Sequence, residues 1–178
     1  CGYRAGETMY KYNHFTRRYE EIPNVTNELL ECAPVFLAEY NGKVYFYGFW
    51  RGRVYTVNIN LPNQKLVETE YVYLSPNSSS EETRAMLQKL KDRQYLLITK
   101  SDDLDSSKMT SLYLFDLVNQ TETKILDTGG QTLLRQGLGP FMGIKELTEN
   151  SITVEVDGID ANGKYYAKPI TASINFSR

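Results

Sequence analysis

The sequence predicts an all-β fold: antiparallel hairpins running as a meander, closed into a sandwich or small barrel, with one amphipathic helix around residues 80–92. Three observations predict it. Tight-turn pairs such as Asn41-Gly42 and Asn162-Gly163 sit between aromatic and β-branched runs, and such pairs accept the positive φ that two-residue hairpin turns need. Polar and apolar positions alternate, as in Val54, Thr56 and Asn58 against Tyr55, Val57 and Ile59, the period of a pleated strand. The chain also holds 14 tyrosines, a residue that suits half-buried sheet positions with the ring packed and the hydroxyl wet.

At 178 residues the chain is long enough to bury about 70% of its unfolded surface without a metal or disulfide staple. It is 41% hydrophobic and 24% charged, which fits a globular protein and not a disordered one. The formal charge of −2 provides no net field for nucleic acid or for anionic lipid. No apolar run reaches the length of a membrane-spanning helix. Residues 1–33 read as a polar, irregular arm, and 34–178 as a single β-rich domain.

From Pro34 the elements follow in order. "PVFLAEY" leads through Asn41-Gly42 into "KVYFYGFW", then through Arg51-Gly52 into "RVYTVNIN", and through "LPNQ" into "KLVETEYVYL". This is a four-stranded meander over 34–74. Its second strand is apolar on both faces, which requires a cover on both sides. "SPNSSSEETRAMLQKLKDR" is a loop into a helix. Ser79 and Glu82 fit a capping box, and Met86, Leu87 and Leu90 form the stripe that faces the sheet. "QYLLITKS" (94–101) is a strand, and "SLYLFDLVNQTETKIL" makes two more around Asn119-Gln120. The glycine-rich stretch 128–143 reads as a loop with a short helix or strand. Finally, "SITVEVDGI" and "KYYAKPITASINF" form a hairpin around "DANG", with Pro169 marking an edge strand.

The two cysteines, Cys1 and Cys32, are too few and too far apart for a structural zinc site. Cys1 has three readings: an arbitrary boundary, a disulfide to Cys32 in an oxidising compartment, or the site of lipid attachment. Cys1-Gly2 before the polar stretch "RAGETMYKYNHFTRRYEE" resembles the processed N-terminus of bacterial lipoproteins. That resemblance implies acylation of Cys1 and, with Gly rather than Asp at the second position, an outer-membrane location. Acyl chains contribute about 0.8 kcal/mol per buried CH₂, so several anchor firmly. Four N-x-S/T sequons, at Asn24, Asn77, Asn119 and Asn175, would be glycan acceptors in a eukaryotic secreted protein. Both readings place the protein outside the cytoplasm.

Catalytic patterns are not found in the sequence. His14 is the one histidine, lies in the arm and reads as a surface side chain, so a Ser-His-Asp or Cys-His site lacks its base. No phosphate-binding glycine motif occurs. Asp127-Thr128-Gly129 resembles the D-T-G of aspartic proteases, but that chemistry needs two carboxylates sharing a proton. The acidic loops at Asp102, Asp103 and Asp105 and at Asp157, Asp160 and Asn162 miss the calcium-loop spacing and read as solvated turns. No cofactor and no metal are expected.

The remaining feature is "YFYGFWRGR". Tyr45, Tyr47, Phe49, Trp50, Arg51 and Arg53 combine aromatic and guanidinium groups of the kind that serve protein contacts. Gly48-Phe49-Trp50 is similar to the G-x-W of lipocalins, which implies a secreted small-molecule carrier with a barrel pocket. "NGKVYFYGF", "GRVYTVNI" and "NQKLVE" resemble a β-propeller blade of the kelch type, and "GRVYTVNINLPNQKLVE" weakly repeats in "TSLYLFDLVNQTETKIL". The expectation is a non-catalytic exported envelope lipoprotein, anchored through Cys1, acting as a structural or binding subunit with protein partners in the envelope. A lipocalin-like carrier is the alternative, and a propeller-like module a minor one.

Overall fold

A computed structural model describes residues 10–21, 34–48, 52–61, 66–76, 80–100, 109–133, 141–142 and 144–176. The fold is mostly β, with one helix among the described residues. Strands β3 (Pro34–Tyr40), β4 (Lys43–Gly48), β5 (Arg53–Asn58) and β6 (Val67–Tyr73) form the predicted meander. Asn41 and Gly42 both take positive φ, 49° and 81°, so the first turn has the twist a two-residue hairpin demands. The meander does not close on itself. β8 (Tyr95–Lys100), β9 (Ser111–Asp116) and β10 (Thr121–Asp127) continue it as one antiparallel sheet, in the order β10-β9-β8-β6-β5-β4-β3. The two hairpins that repeat weakly in sequence, β5-β6 and β9-β10, therefore lie in one seven-stranded sheet rather than in separate blades.

This sheet is strongly coiled. The Tyr45 ring on β4 lies 6.1 Å from the Phe115 ring on β9, although β5, β6 and β8 stand between those strands. The face inside the coil packs Leu37, Tyr45, Val54, Tyr73, Leu96, Ile98 and Phe115 into one cluster. Right-handed twist accumulates across seven strands, and large rings on the concave face fill the space that the coiling leaves.

The convex face meets a second layer. β13 (Ile144–Leu147), β14 (Ser151–Ile159) and β15 (Tyr165–Ser173), with the short β11 (Thr132–Leu133), form a four-stranded sheet centred on β14. The helix α1 (Glu81–Asp92) lies beside it. Met86, Leu87 and Leu90 of α1 join Leu97 and Leu112 of the large sheet and Ile152, Val154 and Val156 of β14 in the main core. The helix stripe thus faces the sheet as its spacing predicts. Its cap is Ser80, one position after the Ser79 of the expected capping box: the Ser80 side chain accepts from the Thr83 amide at 3.2 Å. Ser79 lies outside the described residues.

β15 pairs only with β14 among the described residues, and Pro169 sits in that ladder opposite Glu155, as expected of an edge. The glycine-rich segment supplies β11 and β12 (Phe141–Met142). β12 pairs in parallel with β7 (Ser75–Pro76), a contact no local pattern announces.

One expectation is overturned. Residues 10–21, read from sequence as irregular arm, form an antiparallel hairpin of β1 (Tyr10–Asn13) and β2 (Arg18–Glu21). Its turn is held by the Asn13 side chain, whose Oδ1 accepts from the amides of Phe15 and Thr16 at 2.9 and 3.1 Å. The polar composition hid the hairpin, because no residue in it is buried.

Candidate functional site

The aromatic-basic patch singled out in the sequence is divided by the fold. Tyr45 and Tyr47 point into the coil of the large sheet, where Tyr45 is only 2% exposed and Tyr47 stacks on Tyr73 at 5.1 Å. Arg53 is 3% exposed and, being adjacent to the inward Val54, lies on the opposite face. Its guanidinium reaches Glu68 at 3.4 Å and the Thr69 carbonyl at 3.3 Å. Of these three, Tyr45 and Arg53 are buried and Tyr47 is half-buried, with the tyrosines and the arginine on opposite faces of the sheet. Phe49, Trp50 and Arg51 lie outside the described residues, as does Cys1.

The inside of the coil ends in a charged cluster. Lys100 Nζ lies 3.1 Å from Glu70 and also contacts Glu122. It stands 5.9 Å from the centre of the Tyr71 ring and 5.1 Å from that of Tyr113. Burial opposes the lysine's charge, but hydrogen bonds to the two carboxylates outweigh it and hold its pKa above the ordinary lysine value. Burial, then the Glu122 hydrogen bond and charge, push Tyr71 up to about 12. Burial likewise raises Tyr73 to about 12. A cation clamped between two rings and two carboxylates is already satisfied, so the cluster ties together four strands, β6, β8, β9 and β10, rather than offering a free base.

Asp160 and Asp127 make turns, but Asp157, expected in a solvated turn, lies within β14 and accepts from the Tyr165 hydroxyl at 3.1 Å. Asp160 Oδ1 accepts from the amides of Asn162 and Lys164, both at 2.9 Å. Asp127 Oδ1 accepts from the Gly129 amide at 2.9 Å, so the D-T-G triplet builds a turn. Asp102, Asp103 and Asp105 lie outside the described residues. Among the described residues, no group of three His, Cys, Asp or Glu side chains is placed to hold a metal.

Two surface features were not legible from sequence. A groove of about 450 Å³ runs between β9-β10 and the segment after β15, with Asp116, Asn119, Thr121 and Asn175 on its polar side and Ile174 and Phe176 on its apolar side. It brings together two of the sequon asparagines, Asn119 and Asn175, both exposed. Asn119 is engaged: its side-chain amide donates to Asp116 at 2.7 Å. Partial burial opposes the charge of Asp116, but hydrogen bonds from Asn119 and Val118 hold it below the ordinary aspartate pKa. The second feature is the edge of the large sheet. β3 pairs only with β4 among the described residues and carries Phe36, which is 57% exposed and packs edge-on against Phe46 at 6.1 Å.

Comparison with protein-family models, with curated proteins and with solved structures finds no match for this chain.

Proposed function

We propose that this chain is a non-catalytic exported protein of the bacterial envelope, lipid-anchored through Cys1 at the outer membrane, acting as a structural or binding subunit for other envelope proteins. The observation that carries the binding role is the edge of β3. Its outward backbone groups are unpaired among the described residues, and an exposed Phe36 stands on it. An open edge bearing an aromatic side chain is a template for strand addition by a partner. Guards of the usual kind occur on all three edges: β15 carries Lys168 and Pro169, β10 shifts register between Lys124 and Leu126, and β3 starts at Pro34 and shifts register between Phe36 and Ala38. What distinguishes β3 is the exposed Phe36 ring. The lipid anchor is supported by the resemblance of Cys1-Gly2 to the processed N-terminus of a lipoprotein.

A lipocalin-like carrier would need open space inside the coiled sheet. Tyr45, Tyr73 and Phe115 fill that space, which weighs against the carrier reading.

The test is the intact mass of the N-terminal peptide from protein extracted with detergent from its native host. An excess equal to acyl chains on Cys1 is expected. A Cys1–Cys32 disulfide, or an unmodified Cys1, overturns the anchor.

A further inference from the structure

We infer that the N-terminal hairpin is a membrane-contact device whose tip seats in an anionic bilayer surface. The inference goes beyond the lipid anchor and stands on the hairpin's own geometry. Phe15 is 99% exposed at the apex of the β1-β2 turn. A solvated phenylalanine at the end of a hairpin gives up apolar contact that the folded state does not recover. The turn that presents it is fixed, with the Asn13 side chain capping the Phe15 and Thr16 amides and Arg17 held at φ 54°. Behind the apex, Tyr12 and Tyr19 pack edge-on at 5.1 Å, and His14 packs on Tyr12 at 5.0 Å. An apolar point backed by tyrosines is the arrangement that sits at a membrane interface, with rings at headgroup level.

Charge selects the surface. Between Asn13 and Tyr19 the sequence has Arg17 and Arg18 and no carboxylate, in a chain whose formal charge is −2. The acids that follow are Glu20, which accepts from Asn13 Nδ2 at 2.7 Å and lies 3.8 Å from Lys11, and the exposed Glu21 at the far end of β2. Two guanidiniums beside an exposed Phe match a bilayer carrying anionic headgroups. The far end of the hairpin is tied to the body by Lys11 Nζ, which donates to the Ile59 carbonyl at 2.8 Å, so the tip projects as part of the domain. A two-stranded hairpin without a core is marginal by itself, and a seat in the interface would add the missing burial.

The experiment uses the full chain with Cys1→Ser, so that acylation plays no part. Phe15→Trp in that background reports depth by fluorescence, read against the same chain with Phe15 intact. The probes are vesicles of phosphatidylcholine alone and of phosphatidylcholine mixed with phosphatidylglycerol. Expected are co-sedimentation with the anionic vesicles only, a blue shift of the added tryptophan there, and loss of both at high salt. Replacing Arg17 and Arg18 together by Ser should lower partitioning by about 30-fold, with an unchanged unfolding midpoint since both side chains are exposed. Equal partitioning to both vesicles, no partitioning, or partitioning indifferent to the two arginines overturns the inference. Should the native Cys1 carry acyl chains while the Cys1→Ser chain stays off vesicles, the hairpin inference alone fails. Vesicle binding by the Cys1→Ser chain with an unmodified native Cys1 removes the anchor alone.

Discussion

The side-chain amide of Gln120 donates to the phenol of Tyr45 at 2.9 Å, across 75 positions of sequence. Gln120 closes the β9-β10 turn at φ 55°, and Tyr45 belongs to β4, so this contact joins the two ends of the coiled sheet. Lys43 reinforces it, its Nζ reaching Gln120 Oε1 at 2.8 Å.

Tyr45→Phe keeps the ring against Phe115 and removes only the hydroxyl, and should cost about 1 kcal/mol. Tyr45→Ala empties a fully buried site and should cost about 3–5 kcal/mol. Urea unfolding midpoints separate the two. Equal losses would mean that the hydroxyl, not the packing, holds the coil.

Alkali should unfold the protein through its tyrosines. Tyr71 and Tyr73 have folded pKa values pushed up to about 12, above the ordinary phenol value of about 10. A raised folded pKa means the stabilisation is complete below pH ~10 and disappears as pH climbs to ~12. Lys100, also raised, contributes with the same sign. Unfolding midpoints should hold steady up to pH ~10 and fall between ~10 and ~12. In a native titration read by tyrosinate absorbance, a group of tyrosines should lag, and Tyr71→Phe should shrink the lagging fraction.

The Arg53–Glu68 pair is asymmetric, since the arginine side chain is 4% exposed and the glutamate 45%. Glu68→Gln removes a screened charge and should cost under about 1 kcal/mol. Arg53→Ala opens a hole in the sheet's convex face and should cost more than about 2 kcal/mol. Comparing the two by denaturant unfolding checks this, and a larger loss from Glu68→Gln would sink it.

Glycines 42 and 163 both take positive φ, 81° and 78°, but only the first is crowded. A Cβ on Gly42 would stand 2.1 Å from the Asn60 side-chain nitrogen, whereas at Gly163 it meets nothing within 4 Å. Gly163→Ala should cost about 1 kcal/mol from backbone strain alone. Gly42→Ala should cost somewhat more, because the exposed Asn60 side chain must also swing off the Asn41 carbonyl it bonds at 3.3 Å. Thermal midpoints of the two variants give the comparison.

The sequence by itself determined the local units. Asn41-Gly42 declares its hairpin because few residue pairs accept positive φ at both positions, and Asn162-Gly163 marks the second, where Gly163 alone takes positive φ in a longer loop between Ile159 and Tyr165. Met86, Leu87 and Leu90 declare a helix face through their spacing, and Pro169 an edge through its missing N–H. These are near-neighbour constraints, written within a few residues. The hairpin at 10–21 escaped because it buries nothing, so alternation left no apolar trace. The patch around Tyr45 and Arg53 was misplaced for the opposite reason: aromatic and guanidinium groups look alike in sequence whether they face a partner or the protein's own interior. Only the tertiary structure decided that four hairpin strands extend to seven and that Tyr45 meets Phe115 and Gln120. It also decided that Asn119 and Asn175 share a groove, and that Phe15 stands bare beside Arg17 and Arg18. Coiling accumulates over the whole sheet, and each side chain's burial depends on strands distant in sequence, so neither is encoded at a single position.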